Sequence, residues 1–120
     1  MNKTLKISAN ALNEKKAIDI SAIKVADLTT IAEYFLLATA TSSTHVRALA
    51  DEVETKLSEA GIESIHIEGK ATGWILLDYG DVIIHVFTKE TRQFYQLDRL
   101  WNDGEIVDLK DVFESATEEN

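Results

Sequence analysis

The sequence predicts one α/β or α+β domain, a mixed β-sheet of about five strands with helices packed on it. Three observations carry that prediction. Two apolar runs within residues 73–87 flank the cluster Asp78-Tyr79-Gly80-Asp81, whose glycine stands third, and this reads as a β-hairpin. The run Tyr34-Phe35-Leu36-Leu37-Ala38-Thr39-Ala40 passes through the polar Thr41-Ser42-Ser43-Thr44 into a helical pattern. The element order, α-β-β-α-β-β-β-α, sets an antiparallel hairpin beside a βαβ unit, so the sheet is mixed.

Residues 3–17 place Leu5, Ala9, Leu12 and Ala17 at roughly helical spacing and end in Lys15-Lys16, charges that suit a helix C-terminus. Ile18, Ile20, Ile23 and Val25 then nearly alternate, which predicts a strand with an irregularity around Ser21-Ala22. The run 34–40 is a buried strand. Ser42 or Ser43 caps the next helix, in which Val46, Leu49, Val53 and Leu57 form one stripe before Gly61 ends it. Ile65 and Ile67 alternate with polar neighbours in a strand over 63–68 that has one wetter face. Both hairpin strands are apolar enough to demand cover on both faces, and an exposed Trp or Tyr among them needs a partner. Thr88 caps a last helix with Phe94, Leu97 and Trp101 on one stripe.

With 120 residues, 45% hydrophobic and 28% charged, the chain suits a single globular domain with its own core. It has no Cys, and its three His are widely spaced, so neither disulfides nor a recognisable zinc spacing is read. A net charge of −9 argues against direct nucleic-acid readout, because phosphate contact is driven by clustered Lys and Arg. A basic or neutral partner is expected. No apolar run suits a signal peptide or a membrane span, so a cytoplasmic protein without membrane contact is the default. Seven of the 21 acidic residues fall in residues 103–120, against one Lys. Residues 1–102 are therefore read as the compact domain and 103–120 as an acidic C-terminal extension. Ile106, Leu109, Val112 and Phe113 give that extension an amphipathic pattern that either folds back on the sheet or covers a dimer surface, and charge-rich disorder is expected from Glu114 onward.

Several blocks then stand together: Lys16-Ala17-Ile18-Asp19-Ile20, Ile31-Ala32-Glu33-Tyr34-Phe35, Thr41 to Val46, Glu68-Gly69, Trp74 to Phe87, and Arg92-Gln93-Phe94-Tyr95-Gln96-Leu97-Asp98-Arg99-Leu100-Trp101. Over nearly all of residues 3–102 the chain resembles the ribosomal silencing factors, or Iojap-like proteins. It departs from their pattern in Glu33, where Asp is usual, and in Ala40-Thr41, where Gly-Asn or Gly-Thr is common. The resemblance implies a nucleotidyltransferase-like core without catalytic activity or cofactor. It implies a factor that binds the large ribosomal subunit, docks on large-subunit protein fourteen and sterically prevents the small subunit from joining; the alternatives are a large-subunit assembly factor and a divergent nucleotide-binding or nucleotidyltransferase enzyme on a similar core. It also implies a homodimer when free, and because so short a chain has limited area for two separate sticky faces, self-association is expected through apolar surface partly shared with the ribosomal contact.

The expected partner-binding residues are Trp74, Leu76, Tyr79, Asp81, Arg92 and Tyr95. Trp74 is either an anchor, as large amphipathic rings in desolvated pockets often are, or a core residue. Leu76 shares its strand face by the period of two. Tyr79 sits at the hairpin turn, where exposure is expected. Arg92 and Tyr95, three apart on the last helix, flank the hairpin or form an ordinary surface pair. Asp78 and Asp81 are weighed as a Mg²⁺ pair, but Asp-x-x-Asp across a turn better suits carboxylates that accept backbone N–H groups, and Asp81 is also placed to meet a basic side chain. His45 or His85 with Asp51 or Asp81 makes no catalytic set, because a nucleophile and an oxyanion site are missing. His85 reads as a hydrogen-bonded, half-buried strand residue.

Overall fold

The structure, a computed structural model, describes residues 2–26, 32–69, 73–94 and 104–113. Helix α1 spans Lys3–Glu14 and strand β1 Ile18–Lys24; β2 (Tyr34–Ala40) leads into α2 (Ser43–Glu59). Strands β3 (His66–Glu68), β4 (Trp74–Asp78) and β5 (Val82–Thr88) follow, then α3 (Lys89–Phe94) and β6 (Glu105–Val107). The six strands form one mixed sheet in the order β3-β4-β5-β2-β1-β6. Among the described strands only the central pair, β2 and β5, runs parallel, with Tyr34 opposite Val82 and Ala40 opposite Thr88.

Local chemistry explains the boundaries. The side chain of Asn2 accepts the Leu5 N–H at 3.0 Å and so caps α1, while its amide donates to the Asp81 carboxylate at 2.7 Å. One residue thus ties the first helix to the hairpin tip. The Ser42 hydroxyl accepts the His45 N–H at 3.1 Å at the start of α2. The Ala40-Thr41 turn is held by the His45 imidazole, which accepts the Thr41 N–H at 2.9 Å on Nδ1 and meets the Lys15 carbonyl at 2.8 Å through Nε2. The irregularity expected near Ser21 is a register shift between Ile18 and Ser21, where Asp19 takes a φ of 48°.

Helices α1 and α2 cover one face of the sheet. Leu5, Ala9 and Leu12 of α1 and Val46, Leu49, Val53 and Leu57 of α2 pack with Leu36, Ala38, Ile75, Leu77, Val82, Ile84 and Val86. The α2 stripe is as the spacing predicts. The other face carries a smaller cluster of Ile23, Val25, Leu37 and Phe87, with Phe35 and Trp74 partly buried against it.

Four expectations are corrected. The sheet has six strands rather than five, because Glu105–Val107 of the acidic extension pairs with β1, Ile106 opposite Ile23, and Leu109 and Val112 beyond it enter the main core. The strand over 63–68 shrinks to three residues, and Ile65 lies outside it, 71% exposed. Cover on both faces holds for β5, all of it buried, but β4 alternates and leaves Trp74 and Leu76 half-buried. Phe94 is 78% exposed rather than set on a buried stripe. Leu97 and Trp101, the rest of that stripe, and the tail from Glu114 lie outside the described residues.

Candidate functional site: the open face of the sheet

The pleat sends Trp74, Leu76 and Asp78 to one side of β4 and Ile75, Leu77 and Tyr79 to the other. Register does the rest. Trp74 lies opposite Phe87 and Leu76 opposite His85, while across the β3 edge Leu76 faces Glu68. The open face therefore has an aromatic strip at its middle and acids at its β3 rim, where His66 and Glu68 pair at 2.6 Å. A cleft of about 250 Å³ is lined there by Glu68, Gly69, Trp74 and Leu76.

Beneath the strip the rings are fitted to one another. The Trp74 ring lies 6.5 Å from Phe87 and 6.1 Å from His85, and its indole N–H donates to His85 Nδ1 at 3.3 Å. Phe35 meets the same imidazole edge-on, at 5.4 Å and 76°. Burial lowers the His85 pKa from its ordinary 6.5 to about 4, so the ring is neutral near pH 7. The sequence reading of His85 as a hydrogen-bonded strand residue holds, although it is buried rather than half-buried.

Arg92 sits at the far side of the strip. Its guanidinium lies 5.1 Å over the Phe87 ring and donates to the Asp19 carbonyl at 3.0 Å and the Thr39 hydroxyl at 2.9 Å. It thereby fastens α3 to the bulge of β1. A wider cleft of about 610 Å³ opens beside it, with Asp19, Ser21, Ile23, Lys89 and Ile106 among its walls.

Two predicted site residues stand elsewhere. Tyr79 is 8% exposed and packs on the helix side, beside Glu54, Ser58 and Glu63. Desolvation, followed by the charges of Glu54 and Glu63, raises its phenol pKa to about 12. The expectation of an exposed Tyr79 is thus overturned: the strand period continues into the turn and assigns residue 79 to the face of Ile75 and Leu77, a signal already present in the spacing. The Asp81 carboxylate is exposed at the hairpin tip and holds the Asn2 side chain rather than a backbone N–H. Its backbone carbonyl accepts the N–H groups of Glu33 and Tyr34, at 2.8 and 3.0 Å, and so starts β2. Asp78 does cap the turn, accepting the Gly80 N–H at 2.8 Å, and Gly80 has the positive φ, 89°, that favours glycine. Tyr95 lies outside the described residues.

No three His, Cys, Asp or Glu converge to hold a metal ion among the described residues. His45 is bonded to backbone and His85 to an indole. Arg92, expected at a partner surface, works at least partly inside the fold, and the sequence offered no signal for its bond to a carbonyl 73 residues away.

Fold and face define a mixed-sheet domain with one helix-covered side and one side that presents an aromatic strip. The chain belongs to the ribosomal silencing factor family: the family model described as ribosomal silencing factor during starvation matches residues 1–120. It is 40% identical over 106 residues to a ribosomal silencing factor of Bacillus subtilis, with 88% of this chain and 90% of that one covered. It is 32% identical over 94 residues to a mouse protein named mitochondrial assembly of ribosomal large subunit protein 1, covering 75% of this chain and 41% of that one. A crystal structure of a protein from Chromobacterium violaceum superposes with a TM-score of 0.81 at 35% identity, covering 84% of this chain and 87% of that one. No helix among the described residues is long and apolar enough to cross a membrane.

Proposed function

We propose that this chain is a non-enzymatic translational repressor that binds the large ribosomal subunit through large-subunit protein fourteen and sterically blocks joining of the small subunit in the cytoplasm. The observation that carries the reading is the pair Trp74 and Leu76, half-buried side by side on a face whose rim holds Glu68 and Asp78. An aromatic ring with a polar tip and an apolar neighbour make a typical interface centre, and an acidic rim suits a basic ribosomal protein. Asp81, exposed at the hairpin tip, adds a further acid for that partner. Family membership supplies the ribosome as the place to look.

Co-sedimentation with isolated subunits tests the reading. Large subunits carry the protein down, small subunits do not, and Trp74→Glu releases it. Cofractionation with small subunits alone sinks the proposal, as does a folded Trp74→Glu protein that still binds and still inhibits cell-free translation. A second reading, a factor for assembly of the large subunit, is favoured by the name of the mouse relative. It shares the contact and differs in timing: depletion would then accumulate immature large subunits. Free protein is also proposed to form a homodimer that uses part of the same apolar face, and a strict monomer in light scattering at tens of micromolar, an order-of-magnitude choice for weak contacts, refutes that.

A further inference from the structure

We propose that His85 is a positioning residue for the contact surface: its Nδ1 holds the Trp74 indole N–H and so sets the orientation of the ring that a partner meets. The inference rests on the reading of Trp74 as a binding residue. An indole N–H is a donor only, so the bond to Nδ1 at 3.3 Å requires a lone pair on that nitrogen and places the imidazole proton on Nε2. Burial keeps the ring neutral, which preserves that lone pair.

The surroundings make the imidazole a fixed support. It lies in the middle of β5, opposite Leu76 and diagonal to Trp74, and Phe35 packs edge-on against it from the neighbouring strand. The neighbours of His85 along the strand, Val82-Ile83-Ile84 and Val86-Phe87, are all apolar, so an aliphatic side chain is compatible with the run. What an aliphatic residue lacks is the acceptor. When a partner covers Trp74, water is removed from the ring, and an N–H without a protein acceptor would then oppose docking. The bond to His85 satisfies the donor beforehand and limits the rotation of the ring, which reduces the ordering left for the binding step.

The test separates this role from plain packing. Trp74 and Trp101 each give an indole N–H cross-peak in a ¹⁵N-labelled sample, and Trp74→Phe assigns the first. In His85→Leu the Trp74 indole resonance moves upfield, its exchange with water accelerates, and affinity for large subunits falls about tenfold while the circular dichroism spectrum is retained. His85→Asn, whose amide oxygen lies near the place of Nδ1, restores the resonance and most of the affinity. His85→Phe serves as a second acceptor-free variant. An indole resonance unmoved in the folded acceptor-free variants overturns the inference, as does full affinity despite a displaced indole, or an Asn variant no better than Leu. Failure of the parent protein to bind large subunits overturns the binding reading instead, and the indole resonance, recorded without ribosomes, tells the two failures apart.

Discussion

On the helix side of the sheet Leu36, Ala38, Val82, Ile84 and Val86 are fully buried beneath α1 and α2, whereas on the other side Phe35, Trp74 and Leu76 keep part of their surface in water. The same strands build both faces. On the covered face small and branched aliphatic groups interdigitate with helix stripes, and the buried polar groups are few: Tyr79 near the hairpin and Ser8 of α1, whose hydroxyl donates to the Thr4 carbonyl. The open face instead combines rings with polar edges, and two of its polar groups are bonded within the fold: the Trp74 indole on His85, and Arg92 over Phe87 and on two oxygens. Cover by helices lets a face be built almost wholly of aliphatic groups, while partial exposure favours amphipathic groups, some of whose polar edges are bonded within the fold. The covered face therefore sets stability, and the open face is the one proposed for recognition.

Substitutions on either side can break that division. The largest effect is expected for Trp74→Glu, which should remove subunit binding by more than about 3 kcal/mol, since a charge in a desolvated interface has no partner. Its melting temperature should change little, and a collapse of stability would place Trp74 in the core after all. On the covered face Leu49→Ala should cost about 2–5 kcal/mol in denaturant unfolding, with subunit binding by the folded fraction unchanged. Loss of binding in that variant, at denaturant-free equilibrium, would erase the distinction between the faces.

His85 blurs the division in a way that pH reveals. Its folded pKa of about 4 lies below the 6.5 of the unfolded chain, so between these values the unfolded state binds more protons. Stability from this group is complete above about pH 6.5 and is lost as the pH falls towards 4, by on the order of 3 kcal/mol. The His85→Leu protein should lack that part of the slope in a pH series of urea melts. An identical slope in the two proteins would mean the imidazole is not buried neutral.

Smaller effects sharpen the picture at the hairpin. Asn2→Ala removes both the α1 cap and the bond to Asp81, and should cost about 1 kcal/mol by the ordinary worth of an N-cap. Asp78→Asn should cost less, because the amide keeps an oxygen for the Gly80 N–H, and its subunit binding should match the parent protein. Complete loss of function in Asp78→Asn would show that this carboxylate has a chemical role.

Much of the fold was legible because it rests on short-range patterns. The α2 stripe, its Ser42 cap, the hairpin with Gly80 and the bulge in β1 follow from spacing and turn chemistry within a few residues. Trp74 and Leu76 share a face for the same reason. Strand β6 was not legible as a strand, since Glu105-Ile106-Val107 is short and acidic and Ile106 remains 80% exposed; its pairing with β1 is a long-range event. Tyr79 was misplaced because its position next to the glycine outweighed the strand parity that in fact governs it.

Sequence periodicity alone determined which residues share a side of each strand and helix, because side-chain direction follows from backbone geometry one residue at a time. It also carried the motif by which the chain is similar to its family. Which side of the sheet the helices cover, and hence that Tyr79 is buried while Trp74 meets solvent, was decided only when α1 and α2 packed on one face. The bonds of Trp74 to His85 and of Arg92 to Asp19 and Thr39 belong to the same level, since their partners come from different elements and meet only through strand register and the placement of α3.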